Sequence, residues 1–299
     1  MLEVIQKSAE FLARKDVDSP RLQAELLLAH LLQLPRMKLY LNFDRTLSDA
    51  ELDAVRALVK RRGQREPLQH IVGSTSFCGL EMAVNRNVLV PRPETELLAE
   101  AGWEFLGKHR TSNIQPSTLN SQRAGSETGA PTALDFGTGS GCIAIALAVK
   151  CPSARIVALE ASADALTVAR QNAARNGVSA RIEFLHGDGF AALTADCRFD
   201  LIVSNPPYIP SAEIATLQTE VRDFDPHAAL DGGADGLDFY RLLAAQAGKC
   251  LRPGGKIMLE FGDGQAVAIR KLFAVLGWSV EAVRADYTQR DRILIARRD

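Results

Sequence analysis

The 299-residue chain lacks several features that would point to other classes of protein. Its five cysteines are scattered, odd in number and contain no C-x-x-C pair, which argues against a metal site or a disulfide framework and favours a reducing cytoplasm. No run approaches the roughly 18 apolar residues that span a bilayer, so we expect no membrane partner. The formal net charge of -1 gives no overall attraction for nucleic acid, although a local basic patch is compatible with it.

The N-terminal part of the chain has the pattern of a small helical bundle. Apolar residues recur at helical spacing over residues 1–65, and Ser48 and Glu51 have the spacing of a capping box. This region carries no catalytic constellation. We interpret it as a substrate-recognition domain, with a purely stabilising cap as the alternative.

Residues 66–108 differ from the N-terminal part in their hydrophobic pattern, which predicts a β-hairpin followed by a linker helix. Short β-like runs at 69–73, 75–79 and 80–84 are punctuated by glycine. Pro91-Arg92-Pro93-Glu94-Thr95-Glu96 then leads into a helix predicted over 94–106, whose acidic first turn suits the helix dipole. This segment is either a linker with an N-cap or a rigid wall beside an active site.

The rest of the chain divides into a polar segment and an alternating one. Residues 109–131 are rich in Ser, Thr, Asn, Gln and Gly, which predicts a flexible insertion. Residues 132–299 alternate strand and helix patterns, so we expect an α/β domain with a parallel, doubly wound sheet.

A glycine loop marks the first strand–helix unit of this domain. Asp135 lies in the strand before Gly137-Thr138-Gly139-Ser140-Gly141, and an apolar helix follows. Glycines let a backbone approach a ligand closely, and the start of the helix offers free N–H groups. The G-x-G-x-G spacing differs from both the dinucleotide-binding pattern and the P-loop.

Two further acids follow the next strands. Glu160 ends the second strand, where an acid commonly accepts hydrogen bonds from a ribose; a helix-capping carboxylate is the alternative. Gly187-Asp188-Gly189-Phe190 follows the third strand. Asp188 could accept an adenine amino group and Phe190 could pack near the ring, with an ordinary turn as the alternative.

The loop Asn205-Pro206-Pro207-Tyr208 follows an apolar strand over 199–203. Its prolines end the sheet ladder, at the carboxyl edge where open α/β sheets bind ligands. The Asn205 carboxamide oxygen and the Pro206 carbonyl can each accept an N–H bond from a planar NH2 group, and Tyr208 offers a flat contact. A tight turn is the plain alternative.

These motifs together resemble the class I S-adenosylmethionine-dependent methyltransferases. Within that class, the helical N-terminus, the P-R-P-E-T-E segment, the N-P-P-Y loop and residues 220–236 and 259–262 resemble the peptide-chain release factor glutamine N5-methyltransferases, the PrmC or HemK family. The resemblance covers nearly the whole chain apart from 109–131. Two departures are Glu160, where many members carry Asp, and Gly189, where some carry an aromatic residue.

The resemblance implies a Rossmann-like sheet of seven strands whose last strand is antiparallel. It also implies S-adenosyl-L-methionine as cofactor, no metal, and methylation of the glutamine side-chain nitrogen in the Gly-Gly-Gln loop of release factors. The implied catalytic residues are Asn205, Pro206 and Tyr208. The implied cofactor-binding residues are Asp135, Gly137, Thr138, Gly139, Ser140, Gly141, Glu160, Asp188, Gly189, Phe190 and Asn205. The implied substrate-binding residues are Asn205, Pro206, Pro207, Tyr208, Arg92, Pro93 and Glu94.

We expect a cytoplasmic monomer whose partner is a release factor, with no direct contact to nucleic acid. The main alternative is methylation of an exocyclic amine of DNA or RNA, because the same loop chemistry suits any planar NH2 group. A protein that binds S-adenosylmethionine without turnover is another alternative, but it would have no need of the intact Asn205–Tyr208 loop.

Overall fold

The computed structural model describes residues 1–112 and 129–298 of the protein. Its helices are α1 (Leu2–Ala13), α2 (Pro20–Leu31), α3 (Arg36–Tyr40), α4 (Asp49–Gly63), α5 (Leu68–Val72), α6 (Pro93–Ser112), α7 (Cys142–Lys150), α8 (Ala163–Arg175), α9 (Thr219–Arg222), α10 (Asp238–Gln246) and α11 (Ala266–Val275). Its strands are β1 (Ser74–Phe77), β2 (Leu80–Ala83), β3 (Thr132–Phe136), β4 (Arg155–Glu160), β5 (Ile182–His186), β6 (Phe199–Ser204), β7 (Leu251–Glu260), β8 (Trp278–Ala285) and β9 (Asp291–Arg298). None of the helices in these two ranges is long and apolar enough to cross a membrane.

Seven strands form one mixed sheet in the order β5-β4-β3-β6-β7-β9-β8. Strands β3 to β7 pair in parallel, whereas β9 runs antiparallel to both of its neighbours. This arrangement confirms the predicted fold class, including the antiparallel last strand. The predicted hairpin is also confirmed, as the separate pair β1–β2.

The sheet is covered by helices on both faces, which explains why its central strands are apolar on both sides. On one face α6 and α7 pack against residues such as Leu201 and Val203; on the other, α10 and α11 pack against Leu134 and Ile202. These four strand residues are fully buried, and each such side chain contributes about 1.5–3 kcal/mol relative to exposure. The sheet is thus a rigid base for the loops at its carboxyl edge.

The chain divides into two compact units. The first comprises Met1–Ser74, Val84–Arg86 and Thr216–Asp225 and has its own core between α1, α2 and α4. The predicted capping box of Ser48 and Glu51 is confirmed at the start of α4. The second unit comprises Thr75–Ala83, Asn87–Ala215 and Pro226–Asp299 and contains the sheet.

Three local predictions differ from the structure. The run 69–73 is not a strand, because α5 begins after Pro67 and ends at Gly73, whose φ of +82° is a left-handed helix end. Helix α6 continues past its predicted end to Ser112, into the predicted insertion; the part of that insertion at 113–128 lies outside the described residues. The composition of Pro253-Gly254-Gly255 predicts a sharp turn into a strand at 256–261, but the segment is a bulge inside β7, because the register against β6 jumps between Phe199 and Leu201.

Candidate active site

The carboxyl ends of β3, β4 and β6 open onto a cavity of about 460 Å³, a size typical of small-molecule sites. The cavity brings together residues of four motifs that are far apart in the sequence. The predicted site residues that line it are Arg92, Gly137, Thr138, Gly139, Ser140, Glu160, Asp188, Gly189, Asn205, Pro206 and Pro207. The remaining predicted site residues, Asp135, Gly141, Phe190, Tyr208, Pro93 and Glu94, lie outside this lining.

The glycine loop is held in place by its backbone. The N–H groups of Gly137 and Thr138 both donate to the Leu159 carbonyl, at 2.9 and 3.0 Å. Gly139 has a φ of +55°, and a Cβ built there would meet no atom within 4 Å. Glycine is therefore required by the backbone conformation and leaves the space above the loop open to a ligand.

Gly141 has a different task from the other loop glycines. It precedes the first residue of α7 with a φ of +81°, and a Cβ there would lie 3.1 Å from the Ala169 Cβ. This glycine lets the loop pack against α8 and does not line the cavity.

Asp135 supports the loop from beneath. It is completely buried, and its Oδ2 accepts hydrogen bonds from Thr138 Oγ1 at 2.6 Å and from the Ala144 N–H at 3.0 Å. Burial raises the pKa of Asp135 to about 7, although both hydrogen bonds act in the opposite direction. The carboxyl group therefore ties the loop to the first turn of α7 without touching the cavity.

Glu160 makes two hydrogen bonds to backbone and also faces the cavity. Its Oε1 accepts from the Ser162 N–H at 2.9 Å, next to the start of α8, and its Oε2 accepts from the Gly139 N–H at 2.8 Å. It also lines the cavity, and each carboxylate oxygen has a second lone pair for a ligand hydroxyl.

The segment Gly187–Phe190, which is predicted to lie near an adenine, forms part of the cavity wall. Asp188 and Gly189 line the cavity, but Phe190 packs on Phe136 with ring centroids 4.9 Å apart. Phe136 is the aromatic residue of this pair that reaches the cavity.

The Asn205 side chain lies in the cavity wall. Its Nδ2 donates to Thr95 Oγ1 at 3.1 Å, which leaves Oδ1 as an acceptor for a ligand. Pro206 and Pro207 continue the wall. Tyr208 is half-buried, and burial raises the pKa of its phenol to about 12, so the hydroxyl stays neutral.

The side chain of Gln265, in the loop between β7 and α11, holds the end of the Asn205–Tyr208 loop in place. Gln265 Nε2 donates to the Tyr208 carbonyl, and Gln265 Oε1 accepts from the Gly262 N–H, both at 2.9 Å. The carboxamide thus bridges the end of β7 and the Asn205–Tyr208 loop.

The P-R-P-E-T-E segment forms another part of the wall. Arg92 lines the cavity, and its carbonyl accepts from the Thr95 N–H at 3.1 Å. Pro93 begins α6 and Glu94 lies in its acidic first turn.

Two site residues were not predicted as such, Thr95 and Glu260. Thr95 is buried, lines the cavity and accepts from Asn205. Glu260 is buried at the end of β7, where burial raises its pKa and the neighbouring Thr95 and Asn205 act in the opposite direction. An acid that ends an apolar strand is the same signal that marked Glu160, so the sequence did contain a sign of Glu260. The apolar lining was also missed; it includes Val88, Leu89, Leu159, Pro226, Ala228, Ala229, Phe239 and Leu242.

Known proteins resemble this chain in sequence and in fold. Residues 3–73 match the PrmC N-terminal domain, and residues 117–222 match the methyltransferase small domain. The chain is 45% identical over 276 residues to the release factor glutamine methyltransferase of Geobacter sulfurreducens, across 92% of this chain and 89% of that protein. It is 43% identical over 295 residues to the release factor glutamine methyltransferase of Chlorobaculum tepidum, across 98% and 95%. A methyltransferase from Pyrococcus furiosus shares the fold, with a TM-score of 0.50 and 20% identity over 79% of this chain and 98% of that chain.

Proposed function

Because the chain belongs to the release factor glutamine methyltransferase family, we propose that it methylates the glutamine side-chain nitrogen (N5) in the Gly-Gly-Gln motif of peptide-chain release factors. S-adenosyl-L-methionine is the proposed methyl donor. The observation that carries the proposal is that one cavity contains both the glycine loop with Glu160 and the Asn205 loop. A cofactor site and an NH2-binding site therefore share the same space.

The residues present fit S-adenosyl-L-methionine. Cβ atoms at Gly137, Gly139 and Gly189 would meet no protein atom within 4 Å, so these glycines leave room for a ligand against the backbone. Glu160 offers carboxylate lone pairs to a ribose, and Asp188 offers an acceptor to an adenine amino group. When bound, the cofactor would supply an electrophilic methyl group on a sulfonium, whose leaving group is a neutral thioether.

The Asn205 loop supplies what an amide substrate needs. An amide nitrogen is a weak nucleophile because its lone pair is delocalised into the carbonyl. The Asn205 Oδ1 and the Pro206 carbonyl can accept its two N–H bonds, which fixes the nitrogen's orientation and stabilises the positive charge that develops on it. Orientation of this kind can supply much of the rate, so no catalytic His or Cys is required.

The remaining substrate contacts belong to the same proposal. Pro207 lines the cavity, and Tyr208, next to it but outside that lining, would offer a flat surface to the planar amide. Arg92, Pro93 and Glu94 would flank the substrate loop at the start of α6, where Arg92 already lines the cavity.

A methyl-transfer assay with labelled S-adenosyl-L-methionine tests the proposal. The purified protein is incubated in parallel with a release factor, with DNA and with RNA, and we expect label on the release factor alone. Fragmentation of the product should place one methyl group on the glutamine of the Gly-Gly-Gln motif. Label on either nucleic acid would support the exocyclic-amine alternative instead.

Two matched controls test the acceptor glutamine of the release factor and the Asn205 side chain of this protein. A release factor in which the motif glutamine is replaced by alanine should take up no label. The protein variant Asn205→Ala should bind S-adenosyl-L-homocysteine but transfer almost no methyl group. Equal labelling of the alanine release factor would show that another residue is the acceptor.

A further inference from the structure

Glu260 is a buried acid that the proposed mechanism does not use. Its side chain is 2% exposed and lies at the end of β7, where its own backbone carbonyl accepts from the Tyr240 hydroxyl at 2.8 Å. Its Oε2 is buried and makes no hydrogen bond to the residues that the structure describes. Buried carboxyl oxygens normally have partners, so an unpaired one at a binding site calls for a functional explanation.

The register of the sheet places Glu260 beside Asn205. Ser204 on β6 pairs with Leu259 on β7, so Asn205 and Glu260 occupy the next positions on adjacent strands. Asn205 Nδ2 donates to Thr95 Oγ1 at 3.1 Å, and both Thr95 and Asn205 lower the pKa of Glu260. The Asn205 NH2 group is therefore directed at an acceptor inside the protein. Its carbonyl oxygen is the part of the carboxamide that is left for the cavity.

The other charged and titratable groups around Glu260 come from several elements. Arg292 on β9 favours the ionised form and Glu94 on α6 opposes it, while Tyr208 and Tyr240 are the neutral phenols nearby. Arg292 is engaged elsewhere, because it donates to the Phe261 carbonyl at 3.1 Å and to Asp286 at 3.2 Å. Thr95 and Asn205 are thus the uncharged polar neighbours through which Glu260 can act.

We propose that Glu260 is a positioning residue: its ionised carboxylate accepts the Nδ2 hydrogen of Asn205 and so holds the Asn205 oxygen toward the cavity. The inference rests on the proposed function, in which that oxygen grips the substrate NH2 group. Glu260 does not touch the substrate. It acts through the orientation of one carboxamide.

Protonation of Glu260 would reverse this arrangement. A neutral carboxyl group carries an O–H donor, for which the amide oxygen of Asn205 is the better acceptor. The carboxamide would then turn its NH2 group to the cavity, where it cannot accept an N–H bond. Burial raises the pKa of Glu260 to about 7, so this change falls within the range of an ordinary assay.

The test is the pH dependence of kcat between about pH 6 and 9 for four proteins. They are the wild type, Glu260→Gln, Glu260→Met and the control Glu183→Gln, an exposed strand residue outside the cavity. The wild type and the control should lose about tenfold in kcat for each pH unit below the midpoint. Glu260→Gln keeps an acceptor oxygen but cannot ionise, so its profile should be flat and should exceed that of the wild type at the acid end.

Glu260→Met keeps the volume but removes the acceptor. Its kcat should fall at least about tenfold at every pH, while KM for the release factor stays within about twofold. Binding of S-adenosyl-L-homocysteine should be unchanged in both Glu260 variants, which shows that they are folded. The proposal would be overturned if the kcat of Glu260→Gln still fell at acid pH as in the wild type (the acid limb of the profile). It would also be overturned if Glu260→Met kept the full kcat.

A measurement on the ligand-free protein keeps this inference separate from the proposed function. The ¹³C resonance of the Glu260 carboxyl group, assigned by its loss in Glu260→Gln, should titrate near neutral pH. The Asn205 side-chain amide resonances should shift with the same midpoint. A Glu260 midpoint in the ordinary range of glutamate would refute the inference even if release factors are methylated. The expected titration in a protein inactive on release factors would refute only the proposed function.

Discussion

The two halves of the cavity each depend on a buried carboxyl group at the end of a strand, but they use it differently. Asp135, in β3, binds a hydroxyl and a backbone N–H of fixed elements. Glu260, at the end of β7, lies beside Asn205, whose side chain donates to Thr95. In the proposed mechanism the part of the cavity at the glycine loop, the cofactor half, is shaped by backbone, whereas the part at Asn205, the acceptor half, depends on the orientation of one amide. Substitutions in the cofactor half should accordingly change the affinity for the cofactor, and substitutions in the acceptor half should change kcat.

Gly139→Val should have the largest effect on the cofactor half. A β-branched residue at a φ of +55° is strained, and its side chain would occupy the space above the loop. We expect the Kd for S-adenosyl-L-homocysteine, measured by calorimetry, to rise at least about 100-fold, or about 2.7 kcal/mol.

Gly277→Val is the matched control for backbone strain. Gly277 also has a positive φ, +82°, with no atom within 4 Å of a built Cβ, but it follows α11 and does not line the cavity. Gly277→Val should be less stable than the wild type and yet bind S-adenosyl-L-homocysteine with unchanged affinity. If both variants lost affinity to the same degree, general destabilisation would explain the result and the loop assignment would fail.

Asn205→Ala should have the largest effect on the acceptor half. The oxygen that orients the substrate NH2 group is lost, so kcat should fall by about 100-fold or more. The Kd for S-adenosyl-L-homocysteine should change little, because the loop at Gly139 is untouched. Survival of kcat within about tenfold, or 1.4 kcal/mol, would show that the carboxamide does not have this role.

The same contrast explains which parts of the site could be predicted from the sequence. The glycine loop and the N-P-P-Y loop are local signals, since each motif carries its own backbone geometry and follows an apolar strand. Glu160 could be placed because consecutive strands of a parallel sheet end at one edge. The contact between Asn205 and Thr95, by contrast, joins residues 110 positions apart, and no local pattern reports such a contact.

The misassigned elements have a similar cause. A run as short as 69–73 has no clear period, and its helical form follows from Pro67 before it and the left-handed Gly73 after it. The Pro253-Gly254-Gly255 segment has the composition of a turn, but pairing with β6 keeps it within β7 as a bulge. The residues that flank the run decided the first case, and pairing with a neighbouring strand decided the second.

The pH dependence of stability would sharpen the comparison of the two acids. Asp135 has its pKa raised from 3.8 to about 7, so the folded protein keeps a proton that the unfolded chain releases. The Asp135 contribution to the free energy of unfolding should therefore fall as pH rises from about 4 to 7, by on the order of 3 kcal/mol. Asp135→Asn should remove this loss and raise the thermal midpoint at about pH 8 by several degrees, without a gain at about pH 4.

The pH dependence of kcat should then distinguish the role of Asp135 from that of Glu260. Asn at position 135 can still accept from Thr138 and Ala144, so the kcat profile of Asp135→Asn should keep the acid limb of the wild type. Glu260→Gln should instead lose that limb. Loss of the limb in both variants would mean that the two carboxyl groups do not act independently.

Gln265→Leu should have the smallest effect. It removes the bridge between the Tyr208 carbonyl and the Gly262 N–H, which costs about 1 kcal/mol and should lower kcat about fivefold through a looser Asn205–Tyr208 loop. Gln265→Glu keeps the acceptor for Gly262 but sets a negative oxygen against the Tyr208 carbonyl, so its kcat should fall further. S-adenosyl-L-homocysteine should bind both variants normally in calorimetry. If kcat did not respond to either change, the loop would hold its geometry without the bridge, and the acceptor half would be as rigid as the cofactor half.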